Sequence, residues 1–291
     1  MMTNNKHDKE VYILGSESGN GKKKEPKRNL TVWIGIAAIL FLLTLAIVLL
    51  LNRKEQTPEY YFEPEQTAQT EQQSISVNAT EHTQDTVKRP YTEVSEETAG
   101  HVPLVIYTVH NATMSLAVGM PDKSDPTIVL AAMAADIRKD NMQIVGDFVL
   151  SGKRLARGVA KKGYVAVIDH KITIGIGETT PLLQQAMDNK GFFFRQYPLV
   201  SNGEPIKNNP KNSSIRRALA IRDERVVIIE SKNRESFHDF SQALIDIGVS
   251  DAIYLVGGDA FGWYYDHTHV RKEFGKELTD IPDNISYIVW R

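Results

Sequence analysis

The stretch that most constrains this chain is Ala252-Ile-Tyr-Leu-Val256, apolar and β-prone without a polar break and running straight into Gly257-Gly258. An uninterrupted apolar run of this length, bounded by glycine, predicts a strand buried on both faces. The glycines open a loop at its carboxyl end, which is where α/β sheets place ligands. A glycine pair is also the ordinary way to turn a chain, because glycine tolerates positive φ. The motif therefore defines a corner before it defines a chemistry.

The other features divide the chain. Leu30 to Leu51 is apolar and carries no charge, enough to cross a hydrocarbon core of about 30 Å. Lys22, Lys23, Lys24, Lys27 and Arg28 precede it and only Arg53 and Lys54 follow closely, so residues 1–29 are expected in the cytoplasm and the remainder across the cell membrane. No small-x-small cleavage site follows the run, which favours a single-pass signal anchor over a cleaved signal peptide. Residues 52–100, rich in Gln, Glu, Thr and Ser, read as a disordered tether, and residues 101–291 as one folded, periplasmic or otherwise extracytoplasmic domain.

Composition removes several function classes. The chain has no cysteine, which excludes disulfides, thiolate nucleophiles and Cys-ligated zinc. Net charge is −2, and no long basic run lies outside the membrane flank, so no nucleic-acid partner is expected. Gly15 to Lys23 resembles a nucleotide loop, but five residues separate Gly15 from Gly21 and Lys23 stands where a magnesium-binding Ser or Thr is needed. His267 and His269 flank one residue near Asp266, yet no third ligand stands at a diagnostic spacing. No metal site is expected from these residues.

Within 101–291, strands are predicted over 102–109 and 114–118, forming a hairpin around Asn111, and over 144–150; 128–135 reads as strand or short helix. Residues 164–168 and 172–176 form a hairpin with a three-residue loop, and 217–221 with 225–230 form another. Thr180-Pro181 opens a helix whose Leu182, Leu183, Ala186 and Met187 share a face. Ser236 and Asp239 open a second, with Phe237, Phe240, Ala243, Leu244 and Ile247 on its apolar face and Gly248 as its stop. Residues 285–290 supply a last strand. The fold class expected is α/β or α+β: a mixed, partly antiparallel sheet with flanking helices, preceded by a transmembrane helix.

Several charged residues lie beside glycine loops or strand ends: Asp147, Arg195, Glu204, Arg216, Arg217 and Asp259. A planar guanidinium donates to two phosphate oxygens at once, and paired carboxylates suit acid and base work at a glycosidic bond. Each has a plainer reading. Asp147 can bond its own loop, Asp259 can cap a turn, and Arg216 points outward if Arg217 points inward by strand alternation.

The order of motifs resembles the phosphodiester glycosidase family. It rests on Arg195-Gln-Tyr-Pro-Leu-Val200 with Asn202-Gly203, Arg216-Arg217-Ala-Leu-Ala-Ile221, Phe237 to Gly248, and Asp251-Ala-Ile-Tyr-Leu-Val-Gly-Gly258. The resemblance implies cleavage of a sugar from the phosphate linked to its anomeric carbon, in a glycan. Its arginine before an Ala-rich strand falls on Arg217, or one earlier on Arg216. Its Leu-Asp-Gly-Gly loop falls on Leu255 to Gly258, and an Asn-Gly-Gly-Phe strand end on Val145 to Phe148. Val256 replaces the loop aspartate and Val145 the asparagine; neither moves a proton nor binds a cation. The implied site is therefore Arg217, Arg195, Arg216 and Asn202 toward the sugar phosphate, Asp147 and Asp259 as acid and base, Gly257 and Gly258 offering amides to an anion, and Trp263 or Tyr264 stacked on a sugar. A divalent cation is left open. The alternative is a glycan- or protein-binding module on the same scaffold, without turnover.

Overall fold

The computed structural model describes residue 44, residues 61–62 and 73–78, and residues 89–291 apart from 278, 280 and 281. The run 30–51, apart from Thr44, and the tail before it lie outside the described residues. Among the described residues no helix is long and apolar enough to cross a membrane.

The fold is that of one compact unit, Thr57–Arg291. Its central sheet has seven strands in the order Glu204–Pro205 (β14), Pro198–Ser201 (β13), Val249–Leu255 (β17), Ser214–Arg222 (β15), Arg225–Glu235 (β16), Val102–His110 (β4) and Tyr91–Ala99 (β3). A six-stranded sheet follows the order Gln73–Asn78 (β2), Lys171–Ile176 (β11), Gly163–Ile168 (β10), Phe192–Gln196 (β12), Phe148–Leu150 (β8) and Lys153–Ala156 (β9). A five-stranded sheet runs Arg271–Phe274 (β19), Gly262–Tyr265 (β18), Leu130–Met133 (β6), Ser286–Trp290 (β20) and Met114–Val118 (β5). Tyr61–Phe62 (β1) pairs in parallel with Ile137–Arg138 (β7). The helices are Pro181–Asp188 (α1) and Phe237–Asp246 (α2).

The central sheet is covered on both faces, and β17 shows how. Side chains alternate across a strand, so Ile253 and Leu255 enter one core and Ala252 and Tyr254 another. The first core joins Leu219, Ile221 and Ile228 of the central sheet to Val165, Val167 and Phe194 of the six-stranded sheet and to Leu130, Ile288 and Val289 of the five-stranded one. The second joins Ala218, Ala220 and Ile229 to Phe240 and Leu244 of α2. A third, smaller cluster seats Ala186 of α1 on Val149, Tyr164, Ala166 and Phe193.

Local signals explain both helices. The Thr180 hydroxyl accepts the Leu182 N–H, with Pro181 in the first turn. The Ser236 hydroxyl accepts the Asp239 N–H, and Gly248 ends α2 at φ +86°, as capping chemistry requires.

The fold class needs correction. Strands dominate, only two helices occur among the described residues, and every strand pair except β1–β7 is antiparallel. The molecule is a layered, largely antiparallel β-structure rather than an α/β or α+β fold. An unbroken apolar strand signals two covered faces, and here packed sheets and one helix cover them without a parallel crossover. The predicted 102–118 hairpin is absent: β4 pairs with β3 and β16, whereas β5 pairs with β20 in another sheet. Asn111, at φ +56°, redirects the chain between them. The β10–β11 turn has two residues, Asp169 and His170, both at positive φ, not three, matching the twist of the hairpin. Strands also reach into the span read as tether, since β3 begins at Tyr91 and β2 pairs with β11.

Candidate functional site

Gly163 pairs with Gln196 and Tyr164 with Arg195 at one end of β10 and β12. That register sets Lys161, just ahead of β10, beside Arg195 and Gln196. Phe194 pairs with Phe148 of β8, so Asp147, at the entrance to β8, comes to Arg195. The loop passes close because residue 146 is glycine: at φ +82°, an added Cβ would stand 3.1 Å from the Arg195 Cβ.

Arg195 is 1% exposed and uses its whole fork. Nε donates to Asp147 Oδ2 at 3.1 Å, Nη1 to the Gly177 carbonyl at 2.8 Å and Nη2 to the Glu178 carbonyl at 2.7 Å. Asp147 also ion-pairs through Oδ1 with Arg154 Nη2 and accepts the Gly158 N–H at 3.1 Å. Burial pushes the Asp147 carboxyl upward, but Arg154, the Gly158 amide and Arg195 outweigh it and hold the group below its usual value. Asp147 therefore stays ionised, with both oxygens engaged.

A second buried pair adjoins the first. Lys161 Nζ contacts Asp136 Oδ2, donates to Gln196 Oε1 at 2.7 Å and stands 4.4 Å from the Tyr197 ring centre. The Asp136 carbonyl accepts the Val145 N–H at 2.8 Å, and Lys161 lends its own carbonyl to Arg195 at 3.5 Å. Asp136 Oδ1, Gln196 Nε2 and Arg154 Nε are buried without a hydrogen-bond partner. Buried polar atoms are nearly always satisfied, so this end of β10 and β12 holds unused acceptor and donor capacity, as do Ser241, Asp251, Trp263 and Tyr287 elsewhere in the fold.

The remaining expected residues scatter. Arg217, fully buried, donates Nε to Glu230 Oε2 at 2.6 Å and Nη1 to the carbonyls of Val256 at 2.9 Å and Ala260 at 3.3 Å. It thus meets the double-glycine corner, but as a brace. Arg216, on the opposite face, donates Nε to the Glu235 carbonyl at 3.0 Å and lies 4.1 Å from the Phe237 ring centre. Both arginines are buried, so the outward exposure expected of Arg216 is corrected: α2 covers its face.

The corner is closed. Gly257 N–H donates to the Tyr254 hydroxyl at 3.3 Å and Gly258 N–H to the Ile215 carbonyl at 2.7 Å. Val256, Ala260 and Phe261 beside it are buried. Trp263 is fully buried, between Phe261 and Tyr287, so it packs in the core and is not placed to stack on a sugar. Asn202, at φ +50°, and Gly203 make the tight turn between β13 and β14, with the Asn202 N–H donating to Asp251 at 3.3 Å. Asp259 is exposed, and no hydrogen bond or ion pair joins it to Asp147 among the described residues. His267 and His269 sit in a loop turned by Asp266, whose carboxylate accepts the Thr268 and Val270 amides.

The structure therefore unites Asp147 with Arg195, and Arg217 with the corner, but does not gather all the nominated groups. Sequence reasoning missed Asp136, Arg154, Lys161 and Gln196. Gln196 follows Arg195 directly, and Lys161-Lys162 precedes a core strand; those were the available signals. It also missed His101, Glu235 and Asp239, whose ligand atoms lie within 4.8 Å of one another.

No family model matches the sequence, and no curated protein matches it. Among solved structures, the chain is similar to the zebrafish N-acetylglucosamine-1-phosphodiester alpha-N-acetylglucosaminidase catalytic domain, auto-inhibited by its pro-peptide. The TM-score is 0.53 at 13% identity, over 74% of this chain and 87% of that one. A hypothetical protein from Synechocystis aligns at TM-score 0.43 and 11% identity, over 68% of this chain and 61% of that one. The first likeness supports a phosphodiester glycosidase-like fold and nothing finer.

Proposed function

We propose that this chain recognises an anionic glycan, a sugar joined to phosphate, and holds it without turning it over. One observation carries the reading: Asp147, nominated for proton transfer, and Arg217, nominated for the phosphate, are both consumed by the protein itself, and exposed Asp259 is left without a catalytic partner at Asp147. Asp147 is closed by Arg154, Arg195 and the Gly158 amide, and Arg217 by Glu230 and two carbonyls. What is left over is binding capacity, at Asp136 Oδ1, Gln196 Nε2 and Arg154 Nε. The edge strand β9 beside it and the residue after it are basic, with Lys153 and Arg157 exposed and Arg154 half-buried, which suits a phosphate. The sugar enters from the fold, which the zebrafish domain shares and uses on an N-acetylglucosamine phosphodiester.

Cleavage is the second reading, favoured by the Asp136–Lys161 pair. A buried carboxyl with one unused oxygen suits proton transfer, while Asp147 supplies fixed negative charge. Asp259 keeps a part only in this reading, as a group that approaches when substrate binds.

Calorimetry with an N-acetylglucosamine-1-phosphodiester analogue, beside free N-acetylglucosamine, tests the proposal, together with an assay for released sugar. We expect the phosphodiester to bind, the free sugar to bind more weakly, Arg154→Ala to lose the difference, and no sugar to be released. Release that Asp136→Asn abolishes would replace recognition with hydrolysis. Failure of the analogue to bind at millimolar concentration would sink both.

A further inference from the structure

We propose that His101, Glu235 and Asp239 form a site for a first-row divalent cation, zinc above all, that pins the β3–β4 turn to the junction between β16 and α2. The three residues come from separate parts of the chain. His101 lies in the tight turn after Gly100, which has φ +58°. Glu235 ends β16, where it pairs with Ser214, and Asp239 sits in the first turn of α2. Their ligand atoms, one imidazole nitrogen and two carboxylate oxygens, all lie within 4.8 Å of each other.

The independent sign of a ligand is Glu235. The residue is 7% exposed, yet among the described residues its carboxylate accepts no hydrogen bond and joins no ion pair. The side chain is held in place by its surroundings while its oxygens keep an opening to solvent, through which an ion can reach them. Arg216 approaches this residue through the main chain, donating Nε to the Glu235 carbonyl. The direction left to the carboxylate is toward His101 and Asp239.

Asp239 is held ready in turn. Its Oδ2 accepts the Ser236 hydroxyl at 2.7 Å, while that hydroxyl accepts the Asp239 N–H at 3.0 Å. This double contact orients the carboxylate and leaves Oδ1 to bind, as outer hydrogen bonds do at metal centres. The donor set identifies the ion class. Imidazole with two carboxylates suits zinc and its first-row neighbours, whereas magnesium and calcium prefer oxygen alone. Metal–ligand bonds of about 2.0–2.2 Å require the three side chains to draw together slightly, and exposed His101 has the freedom to do so. Three protein ligands leave at least one position for water.

The test uses the protein stripped with a chelator and titrated with zinc chloride, followed by calorimetry and thermal unfolding. We expect one equivalent of zinc to bind and to raise the unfolding midpoint, with magnesium failing to compete. His101→Ala, which alters an exposed turn, and Glu235→Gln should each weaken binding by at least about tenfold, and Ser236→Ala by a smaller factor. Cobalt(II) in place of zinc should give visible d–d absorption that His101→Ala abolishes. Zinc binding unchanged by His101→Ala but removed by His267→Ala with His269→Ala would overturn the assignment. Absence of stoichiometric binding to the wild-type protein, with the fold intact by circular dichroism, would do the same.

Discussion

Arg217 and Glu230 stand directly opposite each other on β15 and β16, and the Arg217 Nε–H donates to Glu230 Oε2 at 2.6 Å. Arg217 is thereby neutralised and bound to the Val256 and Ala260 carbonyls in the loop after β17, so it braces the corner where a phosphate ligand was expected.

Removing one partner of that pair strands the other. Arg217→Met should destabilise the fold by about 3–5 kcal/mol, because Glu230 and the Val256 carbonyl lose their donor. The double variant Arg217→Met with Glu230→Leu should recover much of the loss. Urea unfolding of the single and double variants checks this, and a loss no smaller in the double variant would refute the pairing.

Asp147 gives a dependence on acid. Its folded pKa lies below the ordinary 3.8, so its contribution is present above the unfolded value and lost as pH falls through the folded one. Asp251 runs the other way: burial raises its pKa, opposed by the Asn202 amide, Ser250 and Ser201, so its contribution weakens as pH rises from 3.8 through the folded value. Asp147→Asn should therefore flatten the loss of stability on acidification below about pH 4, measured by urea midpoints across pH. An acid limb as steep as that of the wild type would contradict this.

Gly257 is a test of the corner. Its added Cβ would stand 2.4 Å from the Ile215 carbonyl oxygen, and that backbone has little room to retreat. Gly257→Ala should cost roughly 1–3 kcal/mol, seen in chemical unfolding, even without ligand. Unchanged stability with impaired anion binding would restore the amide cradle.

Trp263 separates core from platform. Its ring is fully buried beside Phe261 and Tyr287, so Trp263→Ala should destabilise by about 3–5 kcal/mol. Glycan affinity of the folded fraction should be unaffected, and a selective loss of affinity would reverse the assignment.

Much of the local structure was legible. Capping residues located both helices, and 217–221 pairs with 225–230 as predicted, but a turn of Arg222-Asp223-Glu224 would set Arg217 opposite Ile229, whereas Arg222 pairs with Arg225 and Arg217 faces Glu230. The apolar run at Ala252 announced two covered faces. What covers them was not legible, because β17 reads the same between antiparallel sheets as in a parallel one. Nor was the separation of β4 from β5: strand pairing across sheets leaves no mark in neighbouring residues. The Asp136–Lys161–Gln196 contact joins three distant segments, none with a periodic or motif-like signature. The nominated arginines were rightly seen as unusual, but a buried guanidinium serves carbonyls and carboxylates as readily as phosphate.

β17 touches two interiors that share no side chain, Ile253 and Leu255 facing one and Ala252 and Tyr254 the other. Sliding it by a single position would exchange these tenants and misfill both compartments at once. The helix-covered layer and the stacked-sheet layer are consequently expected to melt together, in one transition, though no cross-link joins them.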